Sequence, residues 1–250
     1  MSFSLDQFTD ALQVRDVSGQ PYVLIGGQAV NYWATRYLAE EPALASWQPF
    51  TSKDLDYRGG RDDVLRMAAQ FKRVPRFPHK KMMTAFAGAI PWPIGDNISS
   101  VEFIRQVPGA TAAEIEKLAV THDFTGRLIR IIDPVSLLAC KLDLALTVNQ
   151  IGRRDADHAR ILMLCTRAFL RETLRGVTDG SLPVRGWLGA MERVLKLAES
   201  KLGRRAARKL ELNWRQVLPE IEIAANRNRQ VTRFRQQRWK LWLEKNVPES

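Results

Sequence analysis

The sequence is poor in residues that build covalent or metal cross-links. Of 250 residues only two are cysteine, Cys140 and Cys165, and only three are histidine, His79, His122 and His158. Two cysteines make neither a disulfide framework nor a four-cysteine zinc site, and three scattered histidines make no His-rich centre. Glycine and proline are not in the excess that marks a disordered chain. No long apolar run is present. The most apolar stretch, residues 128–148, is broken by Arg130, Asp133, Lys141 and Asp143 and is too polar to span a bilayer. The first residues, MSFSLDQFTD, carry acids and lack the basic-then-apolar order of a secretion signal. These absences lead to the expectation of a reduced, cytoplasmic protein with no membrane partner.

What is present is an ordinary globular composition, 45% hydrophobic and 26% charged, long enough for one large core or two smaller ones. Charge is the more informative quantity. The formal net charge is +11, and the stretch from Lys201 to Ser250 alone holds thirteen basic and five acidic residues. A basic surface so concentrated favours an anionic partner, above all nucleic acid. The alternative is a solvated helical face.

The first half alternates helix and strand signals. A short helical pattern covers 5–14, and Tyr22–Ile25 reads as a strand ending at Gly26-Gly27. A helix follows over 28–38, then a loop over 40–53 with Pro42 and Pro49. Leu55 and Tyr57 alternate with Asp54, Asp56 and Arg58 as a half-buried strand does. A helix over 62–71, strands over 82–90 and 98–107, a helix over 112–119 and a strand over 128–132 complete this half. Asp133-Pro134 is a strong helix start, with Asp as the cap and Pro at the first helical position. Beyond it only helices fit: 134–149, 153–175, 184–201, 203–225 and 228–245. The expected architecture is α+β, a mixed sheet with flanking helices over 1–133, followed by a helical domain over 134–250 with a basic tail.

The chemistry concentrates at Gly26-Gly27 and Ser52-Lys53-Asp54-Leu55-Asp56. Two aspartates at i and i+2 on a strand share one face and repel each other unless a cation lies between them. Mg²⁺, a hard ion that prefers carboxylate oxygens, fills that role. A diglycine at a strand end lets backbone N–H groups approach a phosphate closely. A third acid is expected from a neighbouring strand, and Glu102 in Ser100-Val101-Glu102-Phe103-Ile104 is the best placed. Two metal ions about 3.5–4 Å apart, held by such acids, would activate a hydroxyl and stabilise a leaving pyrophosphate. The alternative for a lone Asp-x-Asp is a solvated strand edge; the ordered set of strand–GG–helix, strand–DxD and strand–E is far more specific.

That set resembles the nucleotidyltransferase superfamily, and within it the AbiEii-type toxins of toxin–antitoxin pairs. Four motifs carry the resemblance: Gly26-Gly27 with Ser52-x-Asp54-x-Asp56; Val101-Glu102-Phe103-Ile104; the Pro134 to Lys141 helix; and Arg153-Arg154-Asp155-Ala156-Asp157-His158. It covers roughly residues 20–165. Ser52 stands where the family has Thr, Glu102 where it has Asp, and 26 residues separate Gly27 from Asp54, an insertion over about 40–50. The resemblance implies a nucleotidyltransferase-like fold and an Mg²⁺-dependent transferase that moves an NMP from an NTP to a hydroxyl. It also implies a toxin-like role with an antitoxin partner protein.

Under this reading Asp54, Asp56 and Glu102 hold metal, and Glu102 also helps deprotonate the attacking hydroxyl. Gly26 and Gly27 cradle phosphate, Gln28 adds a helix N-terminus to the anion site, and Ser52 donates to phosphate or orients Asp54. Lys53 points to the opposite strand face and reads as a surface lysine. Lys141 sits among Leu137, Leu138, Leu144 and Ala145 and needs an anion if buried. The resemblance supplies the triphosphate; the alternative is a lysine snorkelling at a domain seam. Asp155 is a catalytic candidate through the fourth motif, or simply an acid at a helix start, and His158 could replace that motif's second acid. In the tail, Arg227, Arg229, Arg233, Arg235 and Arg238 are candidates for tracking RNA phosphates, while Phe234, Trp239 and Trp242 read as a stripe packed on the body. The leading expectation is transfer to an RNA hydroxyl, with a tRNA end as acceptor. The alternatives are the same chemistry on a small molecule or protein hydroxyl, and an inactive member that binds RNA or a partner.

Overall fold

The computed structural model describes residues 1–246. A 3-10 turn, Leu5–Phe8, runs into α1 (Thr9–Leu12). Then come β1 (Val23–Ile25), α2 (Gly26–Tyr37), β2 (Leu55–Arg58) and α3 (Arg61–Gln70). β3 (Phe86–Ile94), β4 (Asn97–Ile104), α4 (Ala112–Leu118), β5 (Val120–Phe124) and β6 (Arg127–Ile131) follow. The rest is helical: α5 (Pro134–Thr147), α6 (Asp155–Thr178), α7 (Val184–Glu199), α8 (Lys201–Leu210), α9 (Glu220–Ala225), α10 (Arg229–Phe234) and α11 (Lys240–Asn246). None of the described helices is long and apolar enough to cross a membrane.

The six strands form one mixed sheet in the order β3-β4-β2-β1-β6-β5. β1 runs antiparallel to β2 and parallel to β6, and β2 runs parallel to β4. The α+β class with flanking helices is therefore as expected. The buried side chains of sheet and helices form one continuous cluster, and α2 links its two parts. Trp33 on α2 is fully buried and donates from Nε1 to the Ile132 carbonyl (2.9 Å). Further along the same helix, Arg36 pairs with Glu172 of α6.

Three local departures have clear causes. β3 is shifted towards the C-terminus and runs through Pro91 and Pro93, which an edge strand tolerates because one side of its backbone has no ladder to complete. β5 was not expected, since Thr-His-Asp reads as polar. It pairs with β6 through a two-residue turn in which Thr125 (φ 53°) and Gly126 (φ 79°) are both left-handed, the geometry that matches strand twist in a hairpin. The helix expected over 203–225 is three pieces: Glu211 takes a left-handed conformation after α8, Asn213 caps a 3-10 turn at Trp214–Val217, and Pro219 precedes α9. The 40–53 segment holds a 3-10 turn, Pro42–Trp47, pinned by the fully buried Leu44 and by Glu41, which pairs with Arg167 and Arg171. The aromatic stripe of the tail packs as expected, with Phe234, Trp239 and Trp242 all buried.

Candidate active site

The sheet register assembles the acids. Ile25 of β1 stands opposite Asp56 of β2, and Asp56 stands opposite Glu102 of β4. Alternation along β2 sends Leu55 and Tyr57 into the core and leaves Asp56 on the other face, half-buried. Asp54, just ahead of β2, joins that face. The result is a row across three neighbouring strands: the glycine pair, Asp56, then Glu102.

Gly26 is a backbone necessity. Its φ is +67°, and a Cβ there would lie 1.9 Å from Asp56 Oδ2 and 2.8 Å from Asp56 Cβ. At Gly27 a Cβ would lie 2.3 Å from Ser52 Oγ. Both glycines therefore press bare backbone against the side chains of Asp56 and Ser52, and the Gly27 N–H hydrogen-bonds to the Asp56 carboxylate.

The carboxylates are raised in proton affinity. Burial, with the Asp54 charge adding to it against Lys141, pushes Asp56 up to about 6. Burial, with the charges of Asp56 and Asp54, pushes Glu102 up to about 7. Ser100 joins them: its hydroxyl lies 2.7 Å from Asp54 Oδ1 and 2.9 Å from Glu102 Oε1. One hydroxyl proton serves one acceptor. The Ser100 hydroxyl therefore donates to one of the two carboxylates at a time and ties Asp54 to Glu102. Ser100 was not among the sequence candidates. Its i, i+2 relation to Glu102 on one strand face was the signal that could have found it.

A cleft of about 560 Å³ opens over this row, within the ~300–1,000 Å³ range of small-molecule sites. Its walls bring together Gly26, Gly27, Ser52, Asp54, Asp56, Glu102, Lys141 and Asp155 of the sequence candidates. Lys53 is exposed at its rim. Gln28 is not on the cleft: it is fully buried and donates from Nε2 to the Phe3 carbonyl (2.9 Å), fastening the N-terminal segment. The tail arginines are not on it either.

The far wall is basic. Lys141 is only 5% exposed, and its Nζ lies 2.9 Å from Asp155 Oδ1, while Arg153 Nε lies 2.6 Å from Asp155 Oδ2. Burial would raise the Asp155 carboxyl, but the two cations outweigh it and hold it below the usual range. The buried lysine thus has an anion inside the protein. His158 lies beside this pair, with Nδ1 buried and without a hydrogen-bond partner. Burial, reinforced by Lys141, lowers it to about 3, so it is neutral near pH 7.

The donor set suits a hard divalent cation: Asp54, Asp56 and Glu102 offer only carboxylate oxygens, and burial together with neighbouring acid charge raises the proton affinity of Asp56 and Glu102. Among the described residues, no three His, Cys, Asp or Glu side chains are already drawn in closely enough to hold an ion. Binding would replace the Ser100 contacts with metal–oxygen contacts.

No family model matches the chain, and no curated protein matches it. Among solved structures, the chain is similar to an antigenic nucleotidyltransferase-like protein from Paracoccidioides brasiliensis, at 13% identity and a TM-score of 0.44 over 65% of this chain and 78% of that one.

Proposed function

We propose that the protein is an Mg²⁺-dependent nucleotidyltransferase that moves an NMP from an NTP to an RNA hydroxyl. The observation that carries this reading is the β2–β4 register, which sets Asp56 beside Glu102 with the Gly26-Gly27 backbone packed on Asp56. An acidic floor facing a basic wall of Lys141, Arg153 and Arg154 suits a triphosphate that is itself metal-bound.

In the transfer, the acceptor oxygen bonds to the α-phosphorus as the α–β bridging P–O bond breaks and pyrophosphate leaves. Mg²⁺, when bound by Asp54, Asp56 and Glu102, supplies Lewis acidity at the phosphates, as one ion or two. Glu102 is the carboxylate whose place beside Asp56 lets it take the hydroxyl proton. Lys141 and Arg153 face the triphosphate while Asp155 holds both in place. The Gly27 N–H, freed from Asp56, turns to a phosphate oxygen.

The RNA acceptor, a tRNA end above all, and a toxin-like role with an antitoxin partner rest on the AbiEii-type resemblance and the basic last fifth of the chain. A small-molecule or protein hydroxyl is the second reading. It is favoured by the ion pairs of Arg238 with Glu192 and Glu199, which spend one tail cation on packing. The test is label transfer: purified protein with Mg²⁺, each α-labelled NTP in turn, and total cellular RNA, with Asp54→Ala beside it. Label in the tRNA band, lost in the variant, is the expected result. If RNA carries no label, the same labelled NTPs are offered to small-molecule and protein acceptors; label there selects the second reading, and no label on any acceptor refutes both.

A further inference from the structure

The strongest unpaired positive charge lies on α8, which holds none of the tail arginines considered above. Lys201, Arg204, Arg205, Arg208 and Lys209 are all exposed, and their i, i+3/i+4, i+7/i+8 spacing puts them on one side of the helix. They line about 12 Å of helix. Among the described residues none of the five is ion-paired, whereas Arg215 and Arg238 each hold a glutamate. Arg204 and Arg205 reach only backbone carbonyls, at Glu199 and Leu146.

The orientation of this face is fixed by its back. Gly203 and Ala206 are buried, and a Cβ at Gly203 would lie 2.0 Å from the Leu197 carbonyl oxygen, so the helix lies tight against the preceding turn. Trp214 Nε1 donates to the Gly203 carbonyl (3.2 Å) and closes the other flank. The helix packs on the helices that carry the basic wall of the cleft. Arg205 donates to the Leu146 carbonyl at the end of α5 (3.4 Å), and Arg160 of α6 donates to the Leu210 carbonyl at the end of α8 (3.3 Å). These are the two helices whose Lys141, Leu144 and Asp155 line the cleft, and Arg153 and Arg154 line it as well.

We propose that the exposed face of α8 is the track that holds the phosphate backbone of an RNA acceptor while its end reaches the cleft. The proposal rests on the reading of the cleft as a nucleotidyl-transfer site. The chemistry of the face selects RNA over other anionic partners. Its apolar residues are all turned to the core, which leaves nothing to insert into a lipid surface. Protein interfaces are centred on aromatic and apolar side chains, and this face presents neither, only charge. Exposed cations without an ion-pair partner, set in a row, are what phosphate tracking uses.

The test is binding of fluorescently labelled unfractionated tRNA, without NTP, by anisotropy between 50 and 200 mM KCl. The variants are Arg204→Gln/Arg205→Gln/Arg208→Gln, the corresponding triple Lys variant, Arg227→Gln/Arg229→Gln/Arg233→Gln, and Asp54→Ala. The α8 glutamine variant should lose at least about tenfold in affinity at 100 mM KCl, with a salt slope smaller by about two to three. The lysine variant should keep most of the affinity, because phosphate is read as charge, and the 227/229/233 variant should stay within about twofold. Asp54→Ala should bind as wild type while losing label transfer, which separates failure of the track from failure of the transfer reading. Wild-type affinity in the α8 glutamine variant, with its melting temperature unchanged, overturns the proposal. So does a wild type that binds polyglutamate in an α8-dependent way but not tRNA, which would assign the face to an acidic protein.

Discussion

Replacing Gly26 by alanine tests the packing of the glycine pair on the acid row. Two costs should add. The left-handed φ of +67° costs a residue with a Cβ about 1–2 kcal/mol. The new Cβ would also lie 1.9, 2.6 and 2.8 Å from Oδ2, Cγ and Cβ of Asp56. Rotating the Asp56 side chain clears the first two but not its Cβ, which is fixed by β2, so the backbone must give at about 1–3 kcal/mol. The sum, ~2–5 kcal/mol, would be read by urea denaturation and set against two references. Gly126→Ala has the same kind of φ, +79°, with nothing within 4 Å of the added Cβ, and should cost only about 1–2 kcal/mol. In Asp56→Gly the three clashing atoms are gone, so adding Gly26→Ala should again cost only the φ component. The double-mutant cycle should therefore show coupling of about 1–3 kcal/mol. Transfer activity of Gly26→Ala should fall by at least about 100-fold, because Asp56 is displaced. A Gly26→Ala cost equal to that of Gly126→Ala, with no coupling to Asp56, would refute the reasoning.

Other outcomes follow from the same geometry. Asp56 has its folded-state proton affinity raised from 3.8 to about 6, so its contribution to stability is present below about pH 4 and is lost as pH rises through 6. In chelator, Asp56→Asn should therefore be more stable than wild type by ~1–2 kcal/mol at pH 7.5, after discounting for the part-exposed carboxylate, and no more stable at pH 4; a pH-independent difference in thermal melts would contradict this. Mg²⁺ at millimolar concentration should raise the melting temperature of wild type at pH 7.5 and have little effect on Asp56→Asn, as read by the same melts. Asp155→Asn should destabilise by about 3–5 kcal/mol, since it leaves the buried Lys141 without an anion, and Lys141→Met/Asp155→Leu should recover most of the loss in urea denaturation. Arg238→Gln, which breaks part-exposed pairs with Glu192 and Glu199, should cost no more than about 1 kcal/mol by the same measurement.

Much of the site was legible because its chemistry is written in short-range patterns. Asp54 and Asp56 share a face through the two-residue period of a strand, and the Gly26-Gly27 turn follows from a strand that ends on glycine. The Asp133-Pro134 helix start is a local signal, and the Asp133 carboxylate indeed accepts from the Val135 and Ser136 N–H groups. β5 and the break at Glu211 escaped because each depends on a left-handed residue that composition does not announce. Ser100 shares a strand face with Glu102, a local signal, but its bond to Asp54 crosses from β4 to the residue ahead of β2 and only the sheet shows it.

The sequence by itself determined the class of elements, the residue types of an acidic, metal-suited row and the basicity of the last fifth of the chain. These depend on local periodicity and on counts. Only the tertiary structure decided which of those residues meet. It set Asp56 against Glu102 by sheet register and paired Lys141 with Asp155 across two helices. It turned Gln28 into the core, and it left the cations of α8 without ion pairs while Arg238 was engaged by glutamates. The reason is that register, helix facing and ion pairing are contacts between segments far apart in the chain, and no period within one segment encodes its partner.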